Sequence, residues 1–482
     1  MNPSELEPCP ASGDDRARMR PGFPSRRFGI WVALVTLPLA SAFASNQDGI
    51  LLSPEAALTG GAVLAGDDHD SGGWYNPAGL ATLPRDIFQL GASAYGITSR
   101  RVSGGVETIL PWTSHDTEVD SDRFYSVPST VAYGHRFREG LAAGFGLYTP
   151  QRTSAGWRTS FASAGPAPGV PETVTYQQFY SGSSVLDDTW GAVALGWRAH
   201  PRLSVGFALQ GLYRTQVEVL DLSVSYATPS SPPFDQGLFI DLSIRDDQTM
   251  LGARAVAGVQ WDAGDHWRLA AVLRSPLVRA YAFGGTDRIV SYSEYEAGEA
   301  PIFGREVDVL EPESGLSIVE PGRVSLGAAW RDGRTSLRAE VDWQPALERT
   351  HRTQRSLWNA RAGGTLRLHE NAVLGLGLFT DHARGSAAEG FSEIDLYGLA
   401  GGLEYRPAHV VQAIGGTGRW DLLVTLTVRG AWGTGKAPAL RLDFDAPEFV
   451  LPIFPGQEDQ PFLEAPARAF EGAVNLFTAI VF

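Results

Sequence analysis

The stretch "RLSVGFALQGLY" (residues 202–213) alternates between large apolar and small or polar residues. Because side chains of a strand point to opposite faces in turn, one face carries Leu203, Val205, Phe207, Leu209 and Gly211. The other face carries Ser204, Gly206, Ala208 and Gln210. A soluble sandwich buries the apolar face, whereas a membrane barrel turns it to lipid and keeps small or polar residues inside. The pattern therefore predicts a strand but leaves both architectures open.

The spacing of such stretches separates the two architectures. It predicts fourteen strands, at 87–98, 124–137, 140–149, 189–199, 202–226, 249–262, 266–285, 322–331, 335–347, 356–369, 372–380, 395–406, 420–431 and 470–482. Short turns are expected at 138–139, 200–201, 263–265, 332–334 and 370–371, and long loops at 99–123, 150–188, 227–248, 286–321, 381–394 and 432–469. The connections 348–355 and 407–419 fit this alternation less well. Short turns on one side and long loops on the other are typical of outer-membrane barrels. We therefore expect an all-β fold, a fourteen-stranded antiparallel transmembrane β-barrel over residues 87–482.

Aromatic residues near the expected strand ends favour the barrel, because such positions suit interfacial girdles. They are Tyr95, Phe124, Tyr125, Tyr133, Phe137, Tyr148, Trp190, Trp197, Tyr213, Trp261, Trp267, Trp330, Trp343 and Trp358. The chain ends in "NLFTAIVF" (475–482), with a terminal Phe482 that is common in outer-membrane barrels. A plain amphipathic strand would look similar. We expect this last strand to be the contact for the barrel-assembly machinery.

The N-terminus predicts export. Arg26 and Arg27 precede the apolar run "FGIWVALVTLPLASAFA" (28–44), which has the form of a secretory signal peptide cleaved after Ala44. Met19 is an alternative start, and a membrane anchor is the alternative to a cleaved signal. The single cysteine, Cys9, precedes the cut, so we expect neither disulfides nor thiolate metal sites. No later run of eighteen apolar residues predicts a membrane helix. The expected location is the outer membrane of a Gram-negative cell.

Residues 45–86 differ from the rest of the chain, because they are rich in Gly, Ala and Pro yet contain many apolar residues. A disordered tail should be poor in apolar residues, and a fourteen-stranded barrel leaves a channel unless something fills it. We therefore predict a lumenal hatch over 45–86. Trp74 and Tyr75 would fill space, and Asn76-Pro77-Ala78 would fix a bend because Pro77 restricts the backbone on both sides.

The segment "GGAVLAGDDHDSGGWYNPAGLATL" resembles the N-terminal hatch of the FadL/TodX family of outer-membrane transporters for hydrophobic compounds. Later segments resemble the barrel of that family in the same order, among them "LAAGFGLYTP" (141–150), "EPGRVSLGAAW" (320–330) and "ARAGGTLRLHENAVLGLGLFTD" (360–381). The resemblance spans about residues 50–482. It implies transport of long-chain fatty acids or aromatic hydrocarbons, hatch-gated passive diffusion, and lateral release through the wall into the membrane lipid. The family's hatch kink corresponds to Asn76, Pro77 and Ala78.

Other functions find less support in the sequence. The formal net charge of −15 argues against a nucleic-acid partner. Neither a G-x-S-x-G, an H-E-x-x-H nor a P-loop pattern occurs, so we expect no enzyme and no cofactor. A lipid-modifying enzyme remains an alternative with His351 or His382 as its base. The acidic run "DDHD" (67–70) is expected to be a solvated turn rather than a metal site.

Three arginines within expected strands are candidate ligand-binding residues: Arg254, Arg338 and Arg361. Mid-strand arginines should face the lumen because lipid exposure costs roughly 2–4 kcal/mol, and there a guanidinium can hold a carboxylate. The alternative is a lumenal salt bridge with Glu340 or Asp342. The competing function is that of a non-transporting barrel, an adhesin or a scaffold.

Overall fold

The structure is a computed structural model, and it describes residues 50–66, 72–127, 130–166, 173–228, 237–295, 302–310, 315–349, 352–389, 391–406, 421–444 and 463–482. The expected signal peptide, the acidic run 67–70 and His351 lie outside the described residues. The helices are α1 (Pro54–Leu58) and two short 3₁₀ helices, Pro77–Thr82 and Ala387–Glu389. No helix in the described part of the chain is both long and apolar enough to cross a membrane.

Strands make up most of the described residues. In chain order they are β1 (Ile87–Leu110), β2 (Thr113–Val127), β3 (Thr130–Arg138), β4 (Leu141–Pro166), β5 (Thr173–His200), β6 (Leu203–Ala227), β7 (Gly237–Asp262), β8 (Trp267–Arg274), β9 (Leu277–Tyr295), β10 (Ile302–Leu310), β11 (Ser317–Glu320), β12 (Arg323–Arg331), β13 (Thr335–Gln344), β14 (Leu347–Arg349), β15 (Arg352–Gln354), β16 (Leu357–His369), β17 (Ala372–Asp381), β18 (Glu393–Tyr405), β19 (Asp421–Asp443) and β20 (Leu463–Val481).

The main sheet closes on itself into a β-barrel. It contains 18 strands, and β14 and β15 form a separate two-stranded sheet. The closing contact joins β1 to β20, from Ile87 opposite Val481 to Val102 opposite Ala467. Closure satisfies the backbone hydrogen bonds of both end strands, which lipid cannot do. The all-β barrel expected from the sequence is thus confirmed.

The expectation of purely antiparallel pairing is wrong at one place. Residues Val106–Ile109 of β1 pair in parallel with Leu440–Asp443 of β19. Both strands run antiparallel to β20, which lies between them and begins at Leu463. Beyond that point the two flanking strands meet directly, and since each is antiparallel to the same neighbour, they are parallel to each other.

The expected number of strands remains a prediction, because strands and expected spans do not correspond one to one. The expected span 124–137 is divided between β2 and β3, and 266–285 is divided between β8 and β9 at Ser275 and Pro276. A further break, at Pro321 and Gly322, separates β11 from β12.

The two faces of the wall differ in the way that a membrane barrel requires. On β6, Phe207 and Leu209 are 52% and 50% exposed, whereas Ala208 and Gln210 are buried. Strand β17 has the same outward pattern with Leu374, Leu376 and Leu378. Large apolar side chains thus point outward, and small or polar side chains point inward, which is the lipid-barrel alternative for "RLSVGFALQGLY".

The short turns expected from the sequence are present in the structure, whereas several of the expected long loops are strands instead. Short connections occur close to every expected short turn, between β3 and β4, β5 and β6, β7 and β8, β12 and β13, and β16 and β17. The expected long loops are wrong for most of 99–123, 150–188, 227–248 and 286–321, which are paired strand. Strands β4 to β7 have 25 to 28 residues, far more than the 9–11 that a bilayer crossing needs. The halves of these strands that are far from the short turns, their outer halves, therefore continue as sheet beyond the apolar band, the belt of outward-facing apolar side chains.

Candidate functional site

The segment before β1 begins with a short helix made of small residues. Ser53 caps α1 by accepting a hydrogen bond from the N–H of Ala56 at its side-chain oxygen, at 3.1 Å, and Pro54 occupies the first helical position. Gly60 and Gly61 follow the helix with φ of 64° and 92°, which reverses the chain where other residues would be strained. The helix contacts β16, β17, β18 and β19, and its residues Ala56, Ala57 and Leu58 are buried.

The expected bend has a hydrogen-bonded structure. Asn76 caps the 3₁₀ helix Pro77–Thr82, because its Oδ1 accepts the N–H of Ala78 at 3.1 Å. Its Nδ2 donates to the carbonyl of Leu64 at 2.8 Å. One side chain thus fixes the bend and ties it to the earlier half of the segment.

Barrel glycines allow this bend to approach the wall closely. The 3₁₀ helix contacts β4, β5, β6 and β7. A Cβ atom at Gly206 would overlap the backbone of Pro77, and one at Gly258 would overlap the side chain of Asn76. Because both glycines belong to the inward face, the segment rests directly on the backbone of the wall.

Polar residues of the wall hold the segment by its backbone. Glu340 accepts the N–H groups of Val63 and Leu64 at 3.0 and 3.1 Å. Gln260 donates to the carbonyl of Leu64 at 2.9 Å. Such bonds satisfy backbone groups that burial would otherwise leave unpaired.

Two of the three candidate arginines have acidic partners. Arg338 forms an ion pair with Glu55 of α1. Arg361 forms ion pairs with Glu340, at 3.0 Å, and with Asp342. The pairs of Arg361 have the acidic partners that the sequence allowed as the alternative to ligand binding, whereas the partner of Arg338, Glu55, was not one of them.

Arg254 differs from them, because no carboxylate lies within ion-pair distance of it in the described part of the chain. Its guanidinium carbon lies 4.1 Å from the ring centroid of Trp190 and 5.0 Å from that of Trp74. Its Nε donates to Gln210 at 2.6 Å, and Gln210 donates in turn to the carbonyl of Gly73 at 2.8 Å. Aromatic faces stabilise a cation, but they do not neutralise it.

An aromatic cluster surrounds this guanidinium. The ring of Trp74 lies 5.6 Å from Tyr148 and 5.5 Å from Trp190. Both wall residues are buried, so their assignment to an interfacial girdle is wrong. The indole N–H of Trp190 is buried without a hydrogen-bond partner in the described structure. The site thus combines apolar rings with two donor groups that retain binding capacity, Arg254 and Trp190.

Most other girdle residues do point outward. The exposed ones are Tyr95, Phe124, Tyr133, Phe137, Trp197, Tyr213, Trp261, Trp267, Trp343 and Trp358, while Trp330 is partly buried and the side chain of Tyr125 is outside the described structure. Ten of the expected girdle residues therefore point outward, as a girdle requires.

Further arginines line the same part of the interior. Arg214 binds Asp188, at 2.6 Å, and Glu320, at 3.0 Å. Arg384 lies 3.9 Å from Glu320. Arg274 donates to the carbonyls of Trp74 and Tyr75, both at 3.1 Å. The interior here is positively charged around Arg254, which favours an anionic group.

Of the residues named for the enzyme and metal alternatives, only His382 lies in the described part of the chain. His382 donates from Nδ1 to the carbonyl oxygen of Trp358 at 2.7 Å, and its ring packs against that of Tyr397. Within the described ranges, no group of three His, Cys, Asp or Glu side chains is placed to hold a metal ion.

Comparison with known proteins shows the fold. No protein-family model and no curated protein matches this sequence. A FadL homologue of Pseudomonas aeruginosa is 14% identical and has a TM-score of 0.55, over 93% of this chain and 99% of that one. The toluene transporter TodX of P. putida is 12% identical with a TM-score of 0.52, over 90% and 99%. The monoaromatic hydrocarbon channel CymD is 11% identical with a TM-score of 0.50, over 90% and 98%. The resemblance to FadL and TodX is thus confirmed at the level of the fold.

Proposed function

We propose that this chain belongs to the FadL/TodX family and moves hydrophobic small molecules across the outer membrane by passive diffusion. The FadL-type fold and the outward apolar face support the location. The solved structures with the same fold include a toluene transporter and a monoaromatic hydrocarbon channel. These solved structures are not enzymes, which favours a transport function.

In this proposal residues 1–44 are the signal peptide, 45–86 form the hatch and 87–482 form the barrel. The barrel has fourteen spans when β2 with β3, β8 with β9, and β10 with β11 and β12 each count as one interrupted span. The closing pair of β1 and β20 is antiparallel, which requires an even number of spans and so supports this count. The hatch reading is supported by the contacts of α1 and the 3₁₀ helix with strands on different sides of the wall.

The Arg254 site carries the proposal about the ligand. A partly buried cation with no carboxylate within ion-pair distance in the described part of the chain is costly, and a bound carboxylate would remove that cost with a charge-assisted hydrogen bond. The rings of Trp74, Tyr148 and Trp190 would contact the apolar part of the ligand next to its head group. We therefore favour an amphiphile with an anionic head, such as a long-chain fatty acid, over a neutral aromatic hydrocarbon. Arg338 and Arg361 hold the wall and the hatch together in this scheme.

The test is uptake by cells that lack their own transporter. Labelled long-chain fatty acid and labelled toluene are each supplied to cells with the intact protein, with Arg254→Gln and with Arg429→Gln. Arg429 is the matched control, since it is buried and lies 4.4 Å from the ring centroid of Phe379 but has an acidic partner in Glu471 at 3.6 Å.

We expect fatty-acid uptake to depend on Arg254 and to survive the Arg429 change. Loss of one charge-assisted hydrogen bond, about 1.5–3 kcal/mol, should weaken apparent fatty-acid affinity about tenfold to a hundredfold. Uptake of toluene alone, unaffected by Arg254→Gln, would contradict the anionic ligand. No uptake of either compound by correctly inserted protein would contradict transport itself.

The long outer halves of β4 to β7 favour a second candidate, a surface scaffold or adhesin. They extend the wall well beyond the apolar band, and a scaffold would use their outer surface. Absence of uptake together with retained insertion would favour this function.

A further inference from the structure

The short-turn end of the wall carries an arginine at the last inward-facing position of every connection there. These connections join β3 to β4, β5 to β6, β7 to β8, β12 to β13, β16 to β17 and β18 to β19, and the closing pair of β20 and β1 completes the circle. The arginines are Arg85, Arg136, Arg198, Arg202, Arg268, Arg331, Arg367 and Arg406. We call these eight residues the mouth ring.

The strand register places the mouth ring on the inward face. Arg136 is opposite Ala142, and Arg198 is opposite Ser204. Ala142 and Ser204 are buried, and directly opposite residues share one face of the sheet. The other six follow from the same alternation: Arg85, Arg202, Arg331 and Arg406 are two residues from the buried Ile87, Ser204, Ala329 and Glu404, Arg268 is opposite Ala329, and Arg367 is opposite Val373.

This level of the wall has a positive charge in a chain that is negative as a whole. The acids at inward positions of the same level are Asp262, Glu404 and Asp421, and each forms an ion pair with a ring arginine. Eight arginines and three carboxylates give the level a formal charge of +5, whereas the whole chain has −15.

Four ring arginines have no carboxylate within ion-pair distance in the described part of the chain. They are Arg136, Arg198, Arg202 and Arg367. Arg136 donates a hydrogen bond to the carbonyl of Pro84, which is a neutral partner. Arg136 and Arg198 are half-buried, and Arg202 and Arg367 are exposed, so a solute in the mouth can reach all four.

Arg136 and Arg198 leave space for an anion between them. They flank β4, whose inward residues at this level are Gly140 and Ala142. Neighbouring strands lie about 4.7–4.9 Å apart, so the two arginine backbones are separated by roughly 10 Å. Gly140 has a φ of 75°, and a Cβ atom there would lie 2.9 Å from Cβ of Arg198. A methyl group is thus the largest inward side chain between the two guanidinium groups.

The mouth ring and the Arg254 site lie on opposite sides of the bend at Asn76-Pro77. Along β7, Arg254, Gly258 and Asp262 share the inward face in this order. The bend rests on Gly258, where an added Cβ atom would overlap Asn76, and Asp262 lies at the level of the ring. An anion that leaves Arg254 toward the short-turn end therefore meets the ring next, once it has passed the bend.

The charges around the ring favour a small anion over an acidic protein as its occupant. The turn tips beyond the ring carry exposed acids, which are Glu139, Asp265, Asp332 and Glu370. These acids would repel an acidic protein surface that approached the mouth from outside. A small anion in the lumen meets the inward arginines instead, and an opening lined by one sign of charge concentrates the opposite ion.

We propose that the mouth ring is a second anion site, which receives the carboxylate head group of an amphiphilic ligand on the periplasmic side of the bend. This inference rests on the proposed transport function and adds a step to it. The head group passes from Arg254 to the ring, where the free guanidinium groups bind it with charge-assisted hydrogen bonds. A neutral compound gains nothing from the ring.

Uptake of two compounds that differ only in their head group tests this step. Labelled hexadecanoate and labelled hexadecanol are supplied to cells that lack their own transporter. The ring variant combines Arg198→Gln with Arg367→Gln, and a second variant keeps the charge with Arg198→Lys and Arg367→Lys. The control combines Arg138→Gln with Arg334→Gln, which removes the same charge from the turns between β3 and β4 and between β12 and β13.

We expect the glutamine ring variant to raise the hexadecanoate concentration for half-maximal uptake about twofold to thirtyfold, because two partly exposed charge contacts are lost. The lysine variant and the control should behave like the intact protein, and hexadecanol uptake should be the same in all of them.

Equal effects of the ring variant and the control, in cells where Arg254→Gln still impairs hexadecanoate uptake, would overturn the second anion site and leave the transport function intact. A loss in the ring variant that is equal for acid and alcohol would also overturn it, and would indicate that the ring docks an acidic periplasmic protein. Absence of hexadecanoate uptake by the intact, correctly inserted protein would overturn the transport function and this step with it.

Discussion

Replacing Gly196 by alanine should loosen the proposed hatch without touching the proposed ligand site at Arg254. Gly196 belongs to the inward face of β5, and a Cβ atom there would lie 2.6 Å from the backbone N of Ala81 and 2.7 Å from the Pro77 carbonyl oxygen. Ordinary contact begins at 3.4 Å, so the 3₁₀ helix would have to move by about 0.8 Å. Both contacted atoms belong to backbone, and a rotamer change cannot relieve the overlap.

The cost of such overpacking is about 1–3 kcal/mol. Since the overlap exists only while the bend rests on the wall, this energy shifts the equilibrium between seated and displaced hatch by about 5-fold to 150-fold. We expect Gly196→Ala to raise single-channel conductance in planar bilayers and the sensitivity of cells to large polar antibiotics.

Gly191→Ala is the matched control on the same strand. Its added Cβ atom would meet only the side chain of Leu147, at 3.8 Å, and it should leave conductance unchanged. Heat-modifiable migration on gels would show that both barrels are folded. Equal conductance of the two variants would refute the idea that the bend seals the barrel.

Three further outcomes follow from the geometry. Arg361→Gln leaves Glu340 buried without its cation and should lower the free energy of unfolding of the barrel by about 3–5 kcal/mol. The preference for fatty acid over toluene in uptake should stay the same. A changed preference would indicate that Arg361 contacts the ligand. Asn76→Ala removes two hydrogen bonds, each about 0.5–1.5 kcal/mol, and limited proteolysis should cut its 50–86 segment faster than that of the wild type; equal rates would contradict the role of the cap. In the turn before β13, backbone N–H groups of Thr335 and Arg334 lower the pKa of Asp332 below its ordinary 3.8, so its stabilisation is present above pH 4 and is lost as the pH falls through the lowered value. The melting temperature of Asp332→Asn should therefore be below that of the wild type at pH 6, and the gap should close as the pH falls below the lowered pKa of Asp332. A gap that persists in acid would exclude the carboxylate as its source.

The sequence predicted the inward and outward faces better than the girdle. In "LAAGFGLYTP", Phe145 and Leu147 share the outward face, so alternation alone puts Tyr148 inside with the glycines. By the same alternation, Trp190 and Trp197 lie on different faces of their strand, Trp190 inside and Trp197 outside. Proximity to a strand end suggested a girdle, but the alternation within the strand determines the side.

The outer halves of the long strands could not be recognised in the same way. Stretches such as 113–127 carry Ser114, Asp116, Glu118, Asp120 and Asp122 on one face. They surround an apolar interior that other strands complete, with Leu222 and Leu242 among its members. Each strand contributes too few apolar residues for a clear periodic pattern. The lack of a carboxylate within ion-pair distance of Arg254 in the described part of the chain was equally beyond the sequence, because it depends on all neighbouring strands at once.

The seam between β1 and β20 constrains the order of assembly. Synthesis makes the residues before β1 early and β20 last, yet the wall is complete only when Ile87 meets Val481. Loop-closure entropy makes such distant pairing slow. In the proposed arrangement, the hatch segment is therefore synthesised before the wall is complete. It must either lie in the lumen before β20 closes the barrel or enter the lumen afterwards from the periplasmic side. In the folded barrel, the residues before β1 are thus enclosed by a wall that the last residues to be synthesised complete.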